Sequence, residues 1–362
     1  RYIAMTCQTD DQPAEQAHLD FIEKIEPEVK KRSFRLAKVL SSHPHLDSLP
    51  ANRYEVFTRD AALEVELFRP DNVLLETDTA KLGQQYQKLI GGLTVTFDGE
   101  ERTLVQMGRY LEETDRARRQ EAWELVANRR LEEAETIDGQ LDDLAKRRNQ
   151  MSANVGFPNY RDYAHRRKGR FDYTPNDCLA FHDAIEQEMV PLLTELHDER
   201  RAALGIESVR PWDTATDPHG RPPLKPFDEV PQLISRTQAI FDQLDGDLAD
   251  WFRTMQKLDL LDLSNRKGKA PGGYQDSLAE ARLPFIFMNA IGVQRDVETL
   301  LHEAGHAFHT MASQKEPLHS YRDAPIEFCE VASMAMELLG GEYLGEFYDT
   351  EEVRRARITH LE

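Results

Sequence analysis

Cysteines are scarce in this sequence and widely separated. The 362 residues include only 3 of them, Cys7, Cys178 and Cys329. No two lie close enough together for a Cys-x-x-Cys metal knuckle, and three scattered cysteines cannot supply a disulfide framework. We therefore expect a protein of a reducing compartment, stabilised by a hydrophobic core and not by crosslinks.

Long apolar runs are also missing. The longest apolar stretch, residues 283–293, is about half of the roughly 20 residues that a membrane-spanning helix needs. The N-terminal residues, RYIAMTCQTDDQPAEQ, lack the apolar core of a signal peptide. These absences predict a cytoplasmic location and no membrane partner.

Basic residues are outnumbered by acidic ones. The 45 Lys and Arg against 65 Asp and Glu give a formal net charge of -20. Such a field repels phosphate backbones, so we expect no nucleic acid partner. Two short basic runs, residues 166–170 and 266–269, are better explained as solvated loops or helix ends.

What the sequence does contain is a series of amphipathic helical patterns. Apolar residues recur at helical spacing over about residues 19–40 and 104–151. Capping residues and the apolar pattern predict further helices at 175–204 and about 230–260. The sequence therefore predicts a mainly α fold.

The remaining patterns predict a small β component and a division of the chain. LTVTFDGEERTL alternates apolar and polar residues around Asp98-Gly99, which predicts a β-hairpin near 93–104. A proline-rich segment, 209–228, is predicted to connect a helical N-terminal region, residues 1–208, with a second region, residues 229–362.

The second region carries the motif with chemical meaning, His302-Glu303-Ala304-Gly305-His306. Two histidines four apart on a helix project from one face, close enough to bind one zinc ion. The intervening Glu303 points to the flank, where it can accept a proton without binding the metal. Seven apolar residues form the opposite face of this helix: Val297, Leu300, Leu301, Ala304, Ala307, Phe308 and Met311. The pattern predicts a buried back and a histidine front. The alternative is a surface helix with three solvated histidines, although histidine is a poor choice for solubility alone.

A zinc enzyme of this kind needs a third protein ligand and an open position. Ala312 stands where the metzincin pattern would place a third histidine, so that class is excluded. His309 lies one turn further on the histidine face and is predicted to face substrate or support the site. A later helix, PIEFCEVASMAMELLGG, carries Glu327, Glu330 and Glu337 opposite its apolar face. From the residues alone, each of the three remains a candidate ligand.

HEAGHAFH followed by EFCEVAS resembles the thimet oligopeptidase and oligoendopeptidase F family of zinc peptidases. GFPNYRDY, VRPWD, GKAPGGY and PFIFMNAIG are similar to further segments of that family, so the resemblance covers essentially the whole chain. It implies that Glu330 is the third ligand, one Zn2+ is bound per chain, and Glu327 and Glu337 are supporting residues.

The resemblance also implies a fold. It is a two-lobed helical zincin of the gluzincin type, with a small β-sheet beside an active-site cleft that admits short peptides. PFIFMNAIG would be the edge strand that pairs with substrate; the alternative is an ordinary buried strand. Family members continue past this point with a histidine and tyrosines that stabilise the oxyanion. Because His360, Tyr343 and Tyr348 are poor substitutes, we expect the catalytic region, 229–362, to be truncated at its C-terminus.

The sequence therefore predicts a zinc endopeptidase that cuts internal bonds of short peptides, with Glu303 as general base. Two alternatives stay open. One is a helical zinc carboxypeptidase, which would trim free C-termini. The other is a catalytically incomplete homologue that binds peptides without hydrolysing them.

Overall fold

The computed structural model describes residues 1–361, with side chains through residue 360, and is mainly helical. The prediction of a mainly α fold is confirmed. In chain order the elements are α1 (Tyr2–Cys7), α2 (Gln12–Asp20), α3 (Glu26–Ser41), α4 (Ala51–Leu67), α5 (Pro70–Gly92), β1 (Thr94–Phe97), β2 (Glu100–Thr103), α6 (Arg116–Leu131), α7 (Ala134–Val155), α8 (Tyr160–Arg167), α9 (Pro175–Leu204), α10 (Val230–Leu244), α11 (Gly246–Lys257), β3 (Leu261–Ser264), β4 (Tyr274–Leu278), β5 (Leu283–Ala290), α12 (Gln294–Ser313), α13 (Ile326–Gly341) and α14 (Thr350–Leu361).

The chain forms two compact units, each built from two segments. Unit 1 comprises Arg1–Leu89 and Glu133–Glu195, and unit 2 comprises Ile90–Glu132 and the described residues from Leu196 onward. A small core cluster of unit 1 contains Leu63, Leu67, Met151 and Tyr163. The division into 1–208, 209–228 and 229–362 stays a sequence prediction.

The predicted hairpin is present in unit 2. Strands β1 and β2 are antiparallel, and Phe97 pairs with Glu100 across the turn. Asp98 and Gly99 both have positive φ, 52° and 77°, as a two-residue type I′ turn requires. Asp-Gly is a dipeptide that tolerates this backbone, so the local sequence specifies the turn.

Helix breaks were the harder features to predict. The structure matches the prediction of one helix over 175–204, whereas the predicted helix at 230–260 is divided at Asp245. Asp245 adopts an extended backbone, and its side chain accepts hydrogen bonds from the N–H groups of Asp247 and Leu248 at 2.8 and 3.2 Å. It therefore caps a new helix, α11, and the chain beyond this helix enters β3.

The second sheet corrects the prediction that PFIFMNAIG is an edge strand. Its strand order is β3-β5-β4, so β5, which contains that segment, is the central strand and not an edge. β3 pairs with it in parallel and β4 in antiparallel orientation. Ile286, Phe287 and Met288 are at most 1% exposed, because an apolar strand is most stable when covered on both faces. Among the described residues, β4 has a strand partner on one side only.

The core of unit 2 supports helix α12 from behind. Phe241 and Phe252 of α10 and α11 are fully buried with Ile286 of β5, and the apolar face of α12 joins the same cluster. Burial of each such side chain stabilises the fold by about 1.5–3 kcal/mol. This packing fixes which face of α12 is left for chemistry. No helix within residues 1–361 has both the length and the apolarity to cross a membrane.

Candidate metal centre

Helix α12 has the two faces that its sequence predicts. All seven residues of the predicted apolar face are buried, none of them more than 8% exposed. The His302 and His306 side chains keep 27% and 16% exposure on the other side. Their ring centroids are 4.9 Å apart and the rings are nearly perpendicular, at 84°. The pair is therefore directed out of the core and can be reached by an ion.

Two glycines let helix α13 approach α12 closely. A Cβ atom on Gly305 would lie 2.6 Å from the backbone oxygen of Ala332 and 2.6 Å from the Cα atom of Ser333. A Cβ on Gly340 would lie 2.8 Å from a methyl group of Leu301. Since a larger residue at Gly305 would meet the backbone of α13, this contact sets the position of α13 relative to the two histidines.

Glu330 of α13 faces the histidine pair as a result. One ligand atom from each of His302, His306 and Glu330 lies within 4.8 Å of the other two. Glu330 Oε2 is 3.4 Å from His302 Nε2 and 3.8 Å from His306 Nε2. Ligands at about 2.0–2.2 Å from a tetrahedral zinc ion lie roughly 3.3–3.5 Å from one another. Two imidazoles and one carboxylate at these separations thus fit zinc, with room for a fourth ligand.

Glu337 orients the first of these histidines. Its Oε1 atom is 2.7 Å from His302 Nδ1, and its side chain is only 14% exposed. When Nδ1 donates its proton to this carboxylate, the Nε2 lone pair is left free for a metal. His360 Nδ1 approaches the other oxygen of Glu337 at 3.9 Å and Glu298 Oε1 at 3.6 Å. The residues alone left Glu337 open as a ligand, and the resemblance implied a supporting role. Neither identified the contact with His302, although the spacing of two helical turns between Glu330 and Glu337 was a usable signal.

The surroundings of His306 favour the form that a metal ligand needs. Burial, followed by the charge of neighbouring His302, lowers the pKa of His306, and its ring hydrogen-bonds the backbone of Cys329. A lowered pKa favours the neutral ring, whose nitrogen can bind a cation.

Glu303 lies beside the ligands but outside their group. It is 7% exposed. Burial raises the pKa of Glu303 to about 7, against the opposing effects of the His302 ring and of a hydrogen bond from the backbone N–H of Gln275. A carboxylate with such a pKa can take and return a proton near neutral pH. The Gln275 donor could not be predicted from sequence, because a backbone group carries no residue signature.

The two lower-ranked candidates remain predictions. His309 is half-buried one turn beyond His306, and its charge lowers the pKa of His306. Glu327 lies in the first turn of α13. In the part of the chain that the structure describes, neither joins the group of three ligand atoms.

Comparison with protein families gives a match over most of the chain. The model of Peptidase family M3 matches residues 109–358. This range includes both helices of the candidate metal centre and the whole three-stranded sheet.

Individual relatives point in the same direction. Oligopeptidase PepF of Bacillus subtilis is 34% identical over 101 residues, which is 28% of this chain and 15% of the relative. Oligoendopeptidase F of Lactococcus lactis subsp. cremoris is 24% identical over 181 residues, 49% of this chain and 29% of the relative. The aligned regions therefore cover less than a third of each of these two relatives.

Solved structures share the fold over nearly the whole chain. PZ peptidase A with inhibitor 2 superposes with a TM-score of 0.95 at 30% identity, covering 99% of this chain and 64% of the other. A Bacillus anthracis protein described as an oligoendopeptidase F gives 0.95 at 28% identity, covering 99% and 66%. The chain thus spans about two thirds of the length of these structures.

Proposed function

The chain belongs to peptidase family M3, and on that basis we propose that it is a zinc endopeptidase that hydrolyses internal bonds of short oligopeptides. The observation that carries the proposal is the convergence of His302, His306 and Glu330 within 4.8 Å, with the buried carboxyl group of Glu303 beside them. One Zn2+ per chain would be held by these three residues. The relatives named oligopeptidase or oligoendopeptidase support the substrate class.

Glu303 is the group that moves protons in this mechanism. When bound, zinc supplies Lewis acidity that polarises a water molecule and the scissile carbonyl. Glu303 accepts a proton from the attacking water, whose oxygen bonds to the carbonyl carbon. The carboxyl group then delivers that proton to the amine as the C–N bond breaks. Its burial keeps bulk water away from this exchange.

The peptide would lie along strand β4. This strand has a strand partner on one side among the described residues, and its Gln275 N–H already reaches Glu303. An extended peptide added to this edge would place its backbone beside the base, a binding mode that tolerates varied side chains. The proposed partners are short peptides in the cytoplasm, without nucleic acid or membrane.

The test of the mechanism is Glu303→Gln. The amide cannot accept the proton of water, so turnover should fall by roughly 10²–10⁴-fold while zinc content stays at one per chain. Metal analysis and cleavage of a peptide library measure both quantities. Glu342→Gln, in which an exposed acid is changed, is the matched control. A zinc-loaded Glu303→Gln protein with wild-type turnover would exclude the assigned role.

A blocked substrate separates the proposal from its alternatives. An internally quenched peptide with both termini blocked should be cleaved by an endopeptidase and left intact by a carboxypeptidase. Saturable binding of the peptide without cleavage, by zinc-loaded protein, would instead identify a peptide-binding homologue.

A further inference from the structure

The loop between strands β3 and β4 has a fixed backbone. Its sequence is NRKGKAPGG, residues 265–273. Gly268 and Gly272 have φ values of 80° and 88°, a conformation that residues with a Cβ atom rarely adopt. The loop therefore depends on glycine at these two points, and buried polar side chains hold the backbone between them.

Lys269 is the first of these side chains. It is 3% exposed, and its ammonium group lies 2.6–2.9 Å from four oxygens. They are the backbone and carboxylate oxygens of Asp262 and the backbone oxygens of Ser264 and Met288. A buried cation is costly unless it is paired and hydrogen-bonded, and here both conditions hold. Lys269 thus ties the loop to strands β3 and β5.

Asn289 holds the second half of the loop from strand β5. Its Nδ2 atom donates to the backbone oxygens of Ala270 and Gly272 at 2.9 and 2.8 Å. Its Oδ1 atom accepts from Asn265 Nδ2 at 2.9 Å. Because both amide hydrogens and the oxygen are engaged, the side chain cannot rotate without breaking several bonds.

Gly91 supports the loop from the end of helix α5. Its backbone oxygen accepts from Gly268 N at 2.9 Å. A Cβ atom at Gly91 would lie 2.5 Å from the backbone oxygen of Lys269, whereas one at Gly92 would meet nothing within 4 Å. The two adjacent glycines therefore differ in whether an alanine would displace the loop.

The end of the loop reaches Glu303. The backbone N–H of Gln275 lies near the Glu303 carboxylate and favours its charged form. A Cβ atom at Gly273 would lie 3.6 Å from Glu303 Oε1, 3.3 Å from Thr299 Cγ2 and 3.4 Å from the Phe287 oxygen. The backbone of residues 273–275 thus forms one wall of the space around the base.

We propose that the loop 265–273 is a positioning element for Glu303, held in place by Lys269, Asn289 and Gly91. These three residues act through the Gly273–Gln275 backbone, which packs against the Glu303 carboxylate and directs the Gln275 N–H towards it. The catalytic part of this inference rests on the proposed role of Glu303 as base. The structural part, a loop backbone that holds the carboxylate, can be tested without turnover.

Amide hydrogen exchange at Gln275 tests the structural part. In Glu303→Ala the acceptor is lost, so exchange of the Gln275 amide should accelerate by about tenfold or more. Glu303→Gln retains an oxygen acceptor and should keep the protection, which makes it the conservative rescue. Equal exchange in wild type and Glu303→Ala would overturn the inference.

The adjacent glycines test the catalytic part. Gly91→Ala should displace the loop at Lys269, accelerate Gln275 exchange and lower kcat about 10–100-fold, with KM and zinc content within twofold of wild type. Gly92→Ala should leave the Gln275 exchange rate, kcat, KM and the zinc content unchanged. If Gly91→Ala does not fold, Gly273→Ala, which crowds Thr299 directly, takes its place with the same expected result.

The outcomes are distinguishable from failure of the proposed function. A variant with faster Gln275 exchange and wild-type kcat would show that the loop does not position the base. If the wild-type protein is inactive and Glu303→Ala still accelerates exchange of the Gln275 amide, the proposed function is contradicted and the positioning contact is supported.

Discussion

Among single residues, Glu337 shows best how a sequence pattern and a structure complement each other. The helical pattern alone cannot distinguish ligand from support, because Glu327, Glu330 and Glu337 all lie opposite the apolar face. Only the family resemblance implied that Glu330 is the ligand. The structure separates them by distance. Glu330 faces both Nε2 atoms, and Glu337 contacts His302 at Nδ1.

Removing Glu337 should weaken zinc binding without removing a ligand. Glu337→Ala deletes the acceptor that fixes the His302 ring, and loss of such a partner typically lowers metal affinity 10–100-fold. Competition with a chromophoric chelator measures the zinc Kd. Glu337→Gln keeps an oxygen acceptor and should fall between Ala and wild type.

An exposed acid provides the comparison. Glu342 follows α13 and is 74% exposed, so Glu342→Ala should bind zinc like wild type. A Glu337→Ala protein with wild-type zinc affinity would mean that the His302 ring is fixed by its own packing.

Among secondary-structure elements, the sequence predicts best where a local signal is sufficient. Asp98-Gly99 specifies its turn, and residues 175–204 form the single helix predicted for them. The break at Asp245 was missed because an apolar pattern continues across it on both sides. The central position of β5 was missed because strand order depends on β3 and β4, which lie at opposite ends of a glycine-rich loop.

The contact between α12 and α13 yields a prediction at this scale. Gly305→Ala would place a Cβ atom 2.6 Å from backbone atoms of α13, so the two helices must move apart. We expect destabilisation by about 1–3 kcal/mol and weaker zinc binding, because Glu330 and Glu337 move with α13. Urea denaturation and chelator competition measure the two effects.

Gly139→Ala is the control that separates the effect of packing from the effect of helix propensity. It lies inside α7 and a Cβ atom there would meet nothing within 4 Å. Gly139→Ala should therefore stabilise the protein by roughly 0.5–1 kcal/mol, the usual gain from replacing a helical glycine. Equal effects of the two substitutions on stability would contradict the close approach at Gly305.

For the molecule as a whole, the excess of acidic groups affects the pH dependence of stability. Several paired carboxyl groups favour their charged form. At Asp213, for instance, burial opposes ionisation, but hydrogen bonds from Arg116 and the Arg210 backbone hold its pKa below the usual value. Such groups add stability above their unfolded pKa, and this stability is lost as the pH falls through the folded pKa.

Glu112 behaves in the opposite way. Burial, followed by the nearby charges of Asp296 and Glu298, raises the pKa of Glu112 from 4.5 to about 7. Burial also raises the pKa of Asp296, although backbone N–H groups and Arg109 oppose it. Between about pH 4.5 and 7 Glu112 is therefore protonated more often in the folded chain than in the unfolded chain, and its contribution to stability falls as the pH rises through this window.

Replacing Glu112 should flatten the dependence of stability on pH between about pH 4.5 and 7. Glu112→Gln removes the cost of ionising the buried group, so the free energy of unfolding of the variant should exceed that of wild type by roughly 3 kcal/mol at pH 8 and by little at pH 4.5. Urea denaturation of zinc-loaded protein across this range measures the difference. Glu207→Gln, at an exposed acid, changes the net charge equally and should leave the slope as in wild type. If both variants give the same profile, the slope comes from the net charge of -20 and not from the buried cluster around Glu112.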